Sequence, residues 1–174
     1  MGKKIIFLAF SILISILIFV FRDKIGGFQG YGLFGLFIIS IIGNATIILP
    51  APVILGAFVA GAVFSPLAVS LVVALGATIG ELTGYFAGYA GSDLMDKDAK
   101  LQKVKKWMDR FGLWTIFVLA IIPNPLFDLA GIVAGATGLK VWKYMLIVFA
   151  GKLIKFGVVA YIGANSVVFL DRYI

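Results

Sequence analysis

Glu81 is the only glutamate in the chain, and it follows 56 residues, Ile25 to Gly80, that contain no Lys, Arg, Asp or Glu. An ionisable group in such surroundings is costly to keep and tends to face protein interior or a water-filled path. There it can exchange protons, hold an ion or lower the barrier for a polar group in transit. Asp128 stands in similar apolar surroundings, and Lys152 and Lys155, one helical turn apart, are its natural counter-charges. Tyr85 shares a helical face with Glu81, and Asn124 could supply a donor and an acceptor nearby. The rival role for these charges is a buried structural ion pair, which needs the same residue types.

Much chemistry is excluded by what the chain lacks. It contains no cysteine and no histidine, so no disulfide, thiol nucleophile, imidazole base or usual zinc site can be built. No nucleophile paired with a base can be named. The expectation is therefore no catalytic residue, no metal, no cofactor and no enzyme. The net charge of +7 does not argue for nucleic acid, because in a membrane protein basic residues are read through loop asymmetry.

The elements that must position these groups are apolar. Of the 174 residues 62% are hydrophobic and 13% charged, about half the charge of a soluble domain. About 20 apolar residues span a bilayer, so Ile25–Gly80 alone offers more than two crossings. Ile5–Phe21 predicts a first, uncleaved membrane helix, with residues 1–24 as an anchor. Pro50 and Pro52 interrupt the next stretch, which predicts a broken, re-entrant helical hairpin over Leu33–Phe64 with its tip at Pro50. Ser65-Pro66 then opens a crossing helix, Leu67–Ala90. Along it Gly76, Gly80, Gly84 and Gly88 form a ridge at four-residue spacing, read as helix packing and a possible route to a homo-oligomer.

Ser92–Arg110 is the only markedly polar stretch. Leu101, Val104, Met108 and Phe111 recur in it at helical spacing, which predicts an amphipathic helix on the membrane surface. Phe111–Phe127 ends in Pro123-Asn124-Pro125, a second broken hairpin returning through Asp128–Gly138, and a last helix is predicted over Val141–Leu170.

The halves repeat. Ile48-Leu49-Pro50-Ala51-Pro52 aligns with Ile121-Ile122-Pro123-Asn124-Pro125, and after a one-residue shift Ala60-Gly61-Ala62 falls on Ala134-Gly135-Ala136. At that shift Lys155 is the counterpart of Glu81, and the pseudo-symmetry would bring the two together near the midplane. The predicted architecture is an all-α integral membrane protein. An inverted repeat (25–91 and 111–174) flanks an amphipathic linker (92–110), and each unit is a re-entrant hairpin plus a transmembrane helix. With Lys3 and Lys4 in the cytoplasm, residues 92–110, Lys140 and Lys143 fall on that side too, as the positive-inside rule asks, and the C-terminus lies outside. Half-helix N-termini at the tips carry partial positive charge and suit an anion such as a phosphate headgroup.

Gly76-Ala77-Thr78-Ile79-Gly80-Glu81-Leu82 with Tyr85-Phe86, and the run Ile122–Ile132, resemble the DedA or SNARE-associated (VTT-domain) family, most of all its eukaryotic branch of vacuole membrane proteins. The resemblance covers about residues 30–165. It implies two opposed re-entrant hairpins and movement of lipid between leaflets. Phospholipids or a polyprenyl phosphate are then the partners, and Glu81, Pro123, Asn124, Pro125 and Asp128 occupy family motif positions. The first tip here lacks the acid, and Phe111–Phe127 lacks the arginines, typical of bacterial members. That departure leans from gradient-driven flipping towards passive scrambling. A prokaryotic plasma membrane is the expected location. The alternatives are a proton-coupled exporter of small cations, which Lys152 and Lys155 would oppose, and an assembly factor acting through the Ser92–Arg110 helix.

Overall fold

A computed structural model describes residues 32–45, 51–90, 99–123 and 126–173. The expected first helix, the tips at Pro50, Asn124 and Pro125, and the Ser92–Asp98 part of the linker lie outside the described residues. The described residues form helices, with no strand among them. In order these are α1 (Gly32–Ala45), α2 (Ala51–Val63), α3 (Pro66–Gly80), α4 (Leu82–Ala90), α5 (Ala99–Phe111), α6 (Leu113–Ile121), α7 (Leu126–Ala136) and α8 (Val141–Tyr173).

Local chemistry explains the breaks. Pro66 occupies the first turn of α3, where a missing N–H costs nothing. Gly112, at φ 59°, turns the chain between α5 and α6. Gly138, at φ 69°, closes α7: Leu139 N–H donates to Ala134 O and Gly138 N–H to Gly135 O, the Schellman pattern. Pro66–Ala90 and Val141–Ser166 are long and apolar enough to cross a bilayer. The first of these runs is notched. Glu81 sits between α3 and α4 with its N–H on Ala77 O and its own carbonyl accepting from Tyr85 N–H, so the axis carries on through it.

The outer surface is apolar. Leu67, Leu71, Leu75 and Ile79 on α3, and Leu146, Ile154 and Val158 on α8, are exposed, while Ser40, Ser70, Thr78, Glu81 and Lys152 are buried. A soluble protein would aggregate through such faces; a bilayer solvates them.

Packing joins the halves through glycines. On α8, Ala160 backbone lies where a Cβ on Gly61 of α2 would stand, and Phe58 backbone of α2 where one on Gly163 would. In the same way α4 and α7 meet at Gly88 against Ile132 and at Gly135 against Tyr85. α3 runs against both α1 and α8. Two cores result, one around Val69, Val73 and Phe156, the other around Phe127, Tyr144 and Val148.

The apolar stripe of α5 is directed elsewhere than the sequence suggested. Leu101 and Val104 are buried in the second core, with Met108 packed against it, and only Phe111 at the stripe's end is exposed. α5 lies along α7, so the stripe covers protein rather than a lipid surface, and its lysines form the outer face.

Candidate functional site

Lys152 is 1% exposed, among the most enclosed side chains in the molecule. Its ammonium Nζ donates to Glu81 Oε1 at 2.5 Å and to Asn44 Oδ1 at 2.6 Å. It also lies 4.8 Å from the centre of the Phe127 ring, a cation–π contact. Four elements converge on one nitrogen: α1 through Asn44, the α3–α4 notch through Glu81, α7 through Phe127, and α8. Each partner is held in turn. Asn44 Nδ2 donates to Ser40 O at 2.8 Å, which aims its oxygen at the lysine. Ser40 and Thr78 hydroxyls are tied to backbone carbonyls one turn back on their own helices. Thr83 Oγ1, 2.9 Å from Ala45 O, fastens the end of α1 to α4 beside the cluster.

Asp128 and Lys155 stand around this pair. Their charges act on Glu81, and that of Asp128 on Lys152 as well, yet among the described residues neither has a partner at ion-pair distance. Both are only partly buried, so the polar cluster reaches the surface of the helical body on their side. The register of the repeats had set Lys155 opposite Glu81; the residue that bonds Glu81 is Lys152, one turn earlier on the same helix face. Tyr85 is buried and donates its hydroxyl to Leu139 O, the carbonyl presented by the Gly138 turn. Its ring packs 5.2 Å from that of Tyr144.

The other residues singled out by sequence serve different places. Pro52 lies in the first turn of α2 and Pro123 is exposed just before α7. Gly76 and Gly80 receive α1, where Phe37 O and Ala45 N would lie 2.6 and 2.9 Å from an added Cβ. Gly88 receives α7, and Gly84 faces Asp128 O with room to spare, 3.8 Å from an added Cβ. The ridge is thus covered mostly by this chain's own helices. Sequence reasoning passed over Asn44 and Tyr144. Asn44 is an amide in the uncharged block, and that position was its signal. Tyr144 had none, being one of six tyrosines. No three of His, Cys, Asp or Glu come together among the described residues to hold a metal.

The arrangement is a charged and amide cluster closed on one side and half open on the other, inside an apolar body. It can hold an ion pair, or exchange that pair for a ligand carrying charge of either sign.

Comparison with known proteins agrees with the sequence motifs. The VTT domain profile matches residues 49–165. Vacuole membrane protein KMS1 of Arabidopsis thaliana is 34% identical over 102 aligned positions, covering 46% of this chain and 24% of the relative. Vacuole membrane protein KMS2 of the same plant is 31% identical over 99 positions, with the same coverage. Vacuole membrane protein 1 homolog of Dictyostelium discoideum is 42% identical over 53 positions, covering 30% of this chain and 13% of the relative. The chain spans about a quarter of the length of the first two relatives. No solved structure matches it. The matched segment takes in Glu81, Asp128, Lys152 and Lys155, and on that profile the chain belongs to the VTT-domain (DedA) family of membrane proteins.

Proposed function

We propose that this protein moves lipid between the leaflets of a membrane, as a small phospholipid scramblase or flippase. The observation that carries the reading is the Glu81–Lys152–Asn44 cluster with Asp128 and Lys155 at its half-open edge. A lipid headgroup crossing unaided must shed its water in hydrocarbon, at a cost of several kcal/mol or more for a charge. A groove that offers a carboxylate to an amine and an ammonium to a phosphate replaces part of that water while the tails stay in lipid. Phospholipid and polyprenyl-phosphate headgroups both fit that chemistry.

An inverted repeat of two re-entrant hairpins belongs to the same proposal, and the glycine contacts support the repeat. A shift of 74 residues carries Phe58 to Ile132 and Gly61 to Gly135; a shift of 75 carries Gly76 to Gly151, Tyr85 to Ala160 and Gly88 to Gly163. The contact Gly61–Ala160 then maps onto Gly135–Tyr85, and Gly163–Phe58 onto Gly88–Ile132. Gly76 against Phe37 and Ser40 resembles Gly151 against Phe117 and Ala120, with a shift of 75 on the glycine and of 80 on its neighbours. Paired repeats around a midplane site are transporter architecture. A prokaryotic plasma membrane, with residues 92–110, Lys140 and Lys143 on the cytoplasmic side, completes the reading.

The test is purified protein in liposomes with tail-labelled phosphatidylcholine and phosphatidylethanolamine, bleached from outside by an impermeant reductant. Bleaching well past half the label, without leak or gradient, is the expected result. A halt near half, repeated with a polyprenyl phosphate and with an imposed ion gradient, overturns the reading.

A further inference from the structure

Every buried hydroxyl around the charged cluster is committed to a backbone carbonyl, with one exception. Ser40 donates to Leu36 O, Thr78 to Ala74 O and Tyr85 to Leu139 O. Tyr144 is fully enclosed, and its hydroxyl has no hydrogen-bond partner among the described residues. Leaving a buried donor unmade is destabilising, so an orphan of this kind needs a reason. Its setting supplies one. The hydroxyl lies 2.8 Å from where a Cβ on Gly131 would stand, so glycine leaves it that room one turn after Asp128. The tyrosine ring packs on Tyr85, one turn after Glu81. The same Cβ point on Gly131 lies 3.7 Å from Tyr85 N, whose N–H donates to Glu81 O, so the phenol lies beside the backbone that carries Glu81.

We infer that Tyr144 is a reserve donor for the Glu81 carboxylate, and that the cluster has a second state in which Glu81 accepts from the Tyr144 hydroxyl instead of from Lys152. The inference deepens the lipid-transfer reading. For Lys152 to meet a headgroup phosphate it must leave Glu81, and a carboxylate stranded without a partner in an apolar interior would hold it back. The neighbouring phenol Tyr85 cannot take over, because its proton is already placed on Leu139 O. Glu81 is flexible once released, whereas Tyr144 is fixed between α7 and Tyr85, so the carboxylate is the partner that moves. Tyr144 is then a positioning residue, idle in the closed state and bonded in the open one.

The experiment is a double-mutant cycle on the thermal midpoint of the full chain in nanodiscs. Tyr144→Phe alone breaks no bond of the closed state, and the expected midpoint is unchanged or slightly raised. With Lys152→Met, which forces Glu81 to find another donor, Tyr144→Phe is expected to lower the midpoint by about 3 °C. An equal effect of Tyr144→Phe in both backgrounds, whether zero or large, overturns the inference. Should Lys152→Met fail to fold, Lys152→Gln replaces it, since the shorter neutral side chain gives up the ion pair with Glu81, and the same comparison decides. The readout is stability, so the switch is decided even if the wild-type protein moves no lipid in liposomes, which would count against the function alone.

Discussion

Lys152 Nζ and Glu81 Oε1, 71 positions apart in the chain, lie 2.5 Å from one another, with Asn44 Oδ1 as the lysine's second acceptor. The bond joins the long helix of the second half to the notch in the long helix of the first. It is both the tie between the halves and the centre of the polar cluster, so structural and mechanistic roles must be separated by experiment.

Removing one partner leaves the other charged and buried, which typically costs about 3–5 kcal/mol; removing both can be nearly neutral. Lys152→Met and Glu81→Met are each expected to lower stability by about 3 kcal/mol, while the double variant recovers most of the loss. Denaturation in detergent checks this. A double variant no better than its singles would mean that the two groups do not act as a pair.

Asp128 offers the complementary case. It is partly exposed and has no ion-pair partner among the described residues. Asp128→Asn is expected to change stability by no more than about 0.5 kcal/mol. The same variant should slow lipid transfer severalfold at equal reconstitution, because the open edge of the cluster loses its charge. An unchanged transfer rate would remove Asp128 from the path.

Much of this was legible in the sequence, and the reasons are physical. The two long apolar helices and the start of α3 at Pro66 follow from hydrophobic length and from proline, which act locally. Glu81 stood out because a lone carboxylate in an apolar run demands a partner. Which lysine answers it was not legible. Lys152 and Lys155 share a face, and the choice depends on how α1 brings Asn44 to the cluster and where Phe127 offers its ring. The orientation of α5 was hidden for a similar reason. An apolar stripe looks the same whether lipid or α7 covers it, and only the packing of Leu101 and Val104 distinguishes them.

That orientation predicts a contrast within one stripe. Val104 is fully buried, so Val104→Ser should destabilise by about 2 kcal/mol, through lost burial and an added hydroxyl. Phe111 is exposed at the stripe's end, and Phe111→Ser should stay within about 0.5 kcal/mol. Thermal midpoints in nanodiscs check the pair; equal and small effects would place the whole stripe against lipid.

The glycine contacts predict position-specific intolerance. An added Cβ at Gly88 or Gly135 would run into the backbone of Ile132 or Tyr85, which cannot move aside as a side chain can. Gly88→Ala and Gly135→Ala should each cost about 1–3 kcal/mol through forced separation of α4 and α7. Gly84→Ala, with only Asp128 O at 3.8 Å from the new carbon, should be tolerated. The comparison is sharp because Gly84 and Gly88 are one turn apart on one helix. Equal losses at both would show that helix propensity, not the close crossing, sets the cost.

The chain has no cysteine, so single cysteines placed in it report without background. If the cluster opens to water beside α7 and α8, Asp128→Cys and Lys155→Cys should react with an impermeant thiol reagent. Phe156→Cys and Ala160→Cys, enclosed between helices, should not. Thr137→Cys and Lys140→Cys, exposed at the turn between α7 and α8, should react from the cytoplasmic side alone if the basic residues set the topology. Labelling of Thr137→Cys from outside would invert the topology. Silence at both Asp128→Cys and Lys155→Cys, with the turn residues reactive, would leave the charged cluster without an aqueous mouth and make the Glu81–Lys152 bond a structural tie alone.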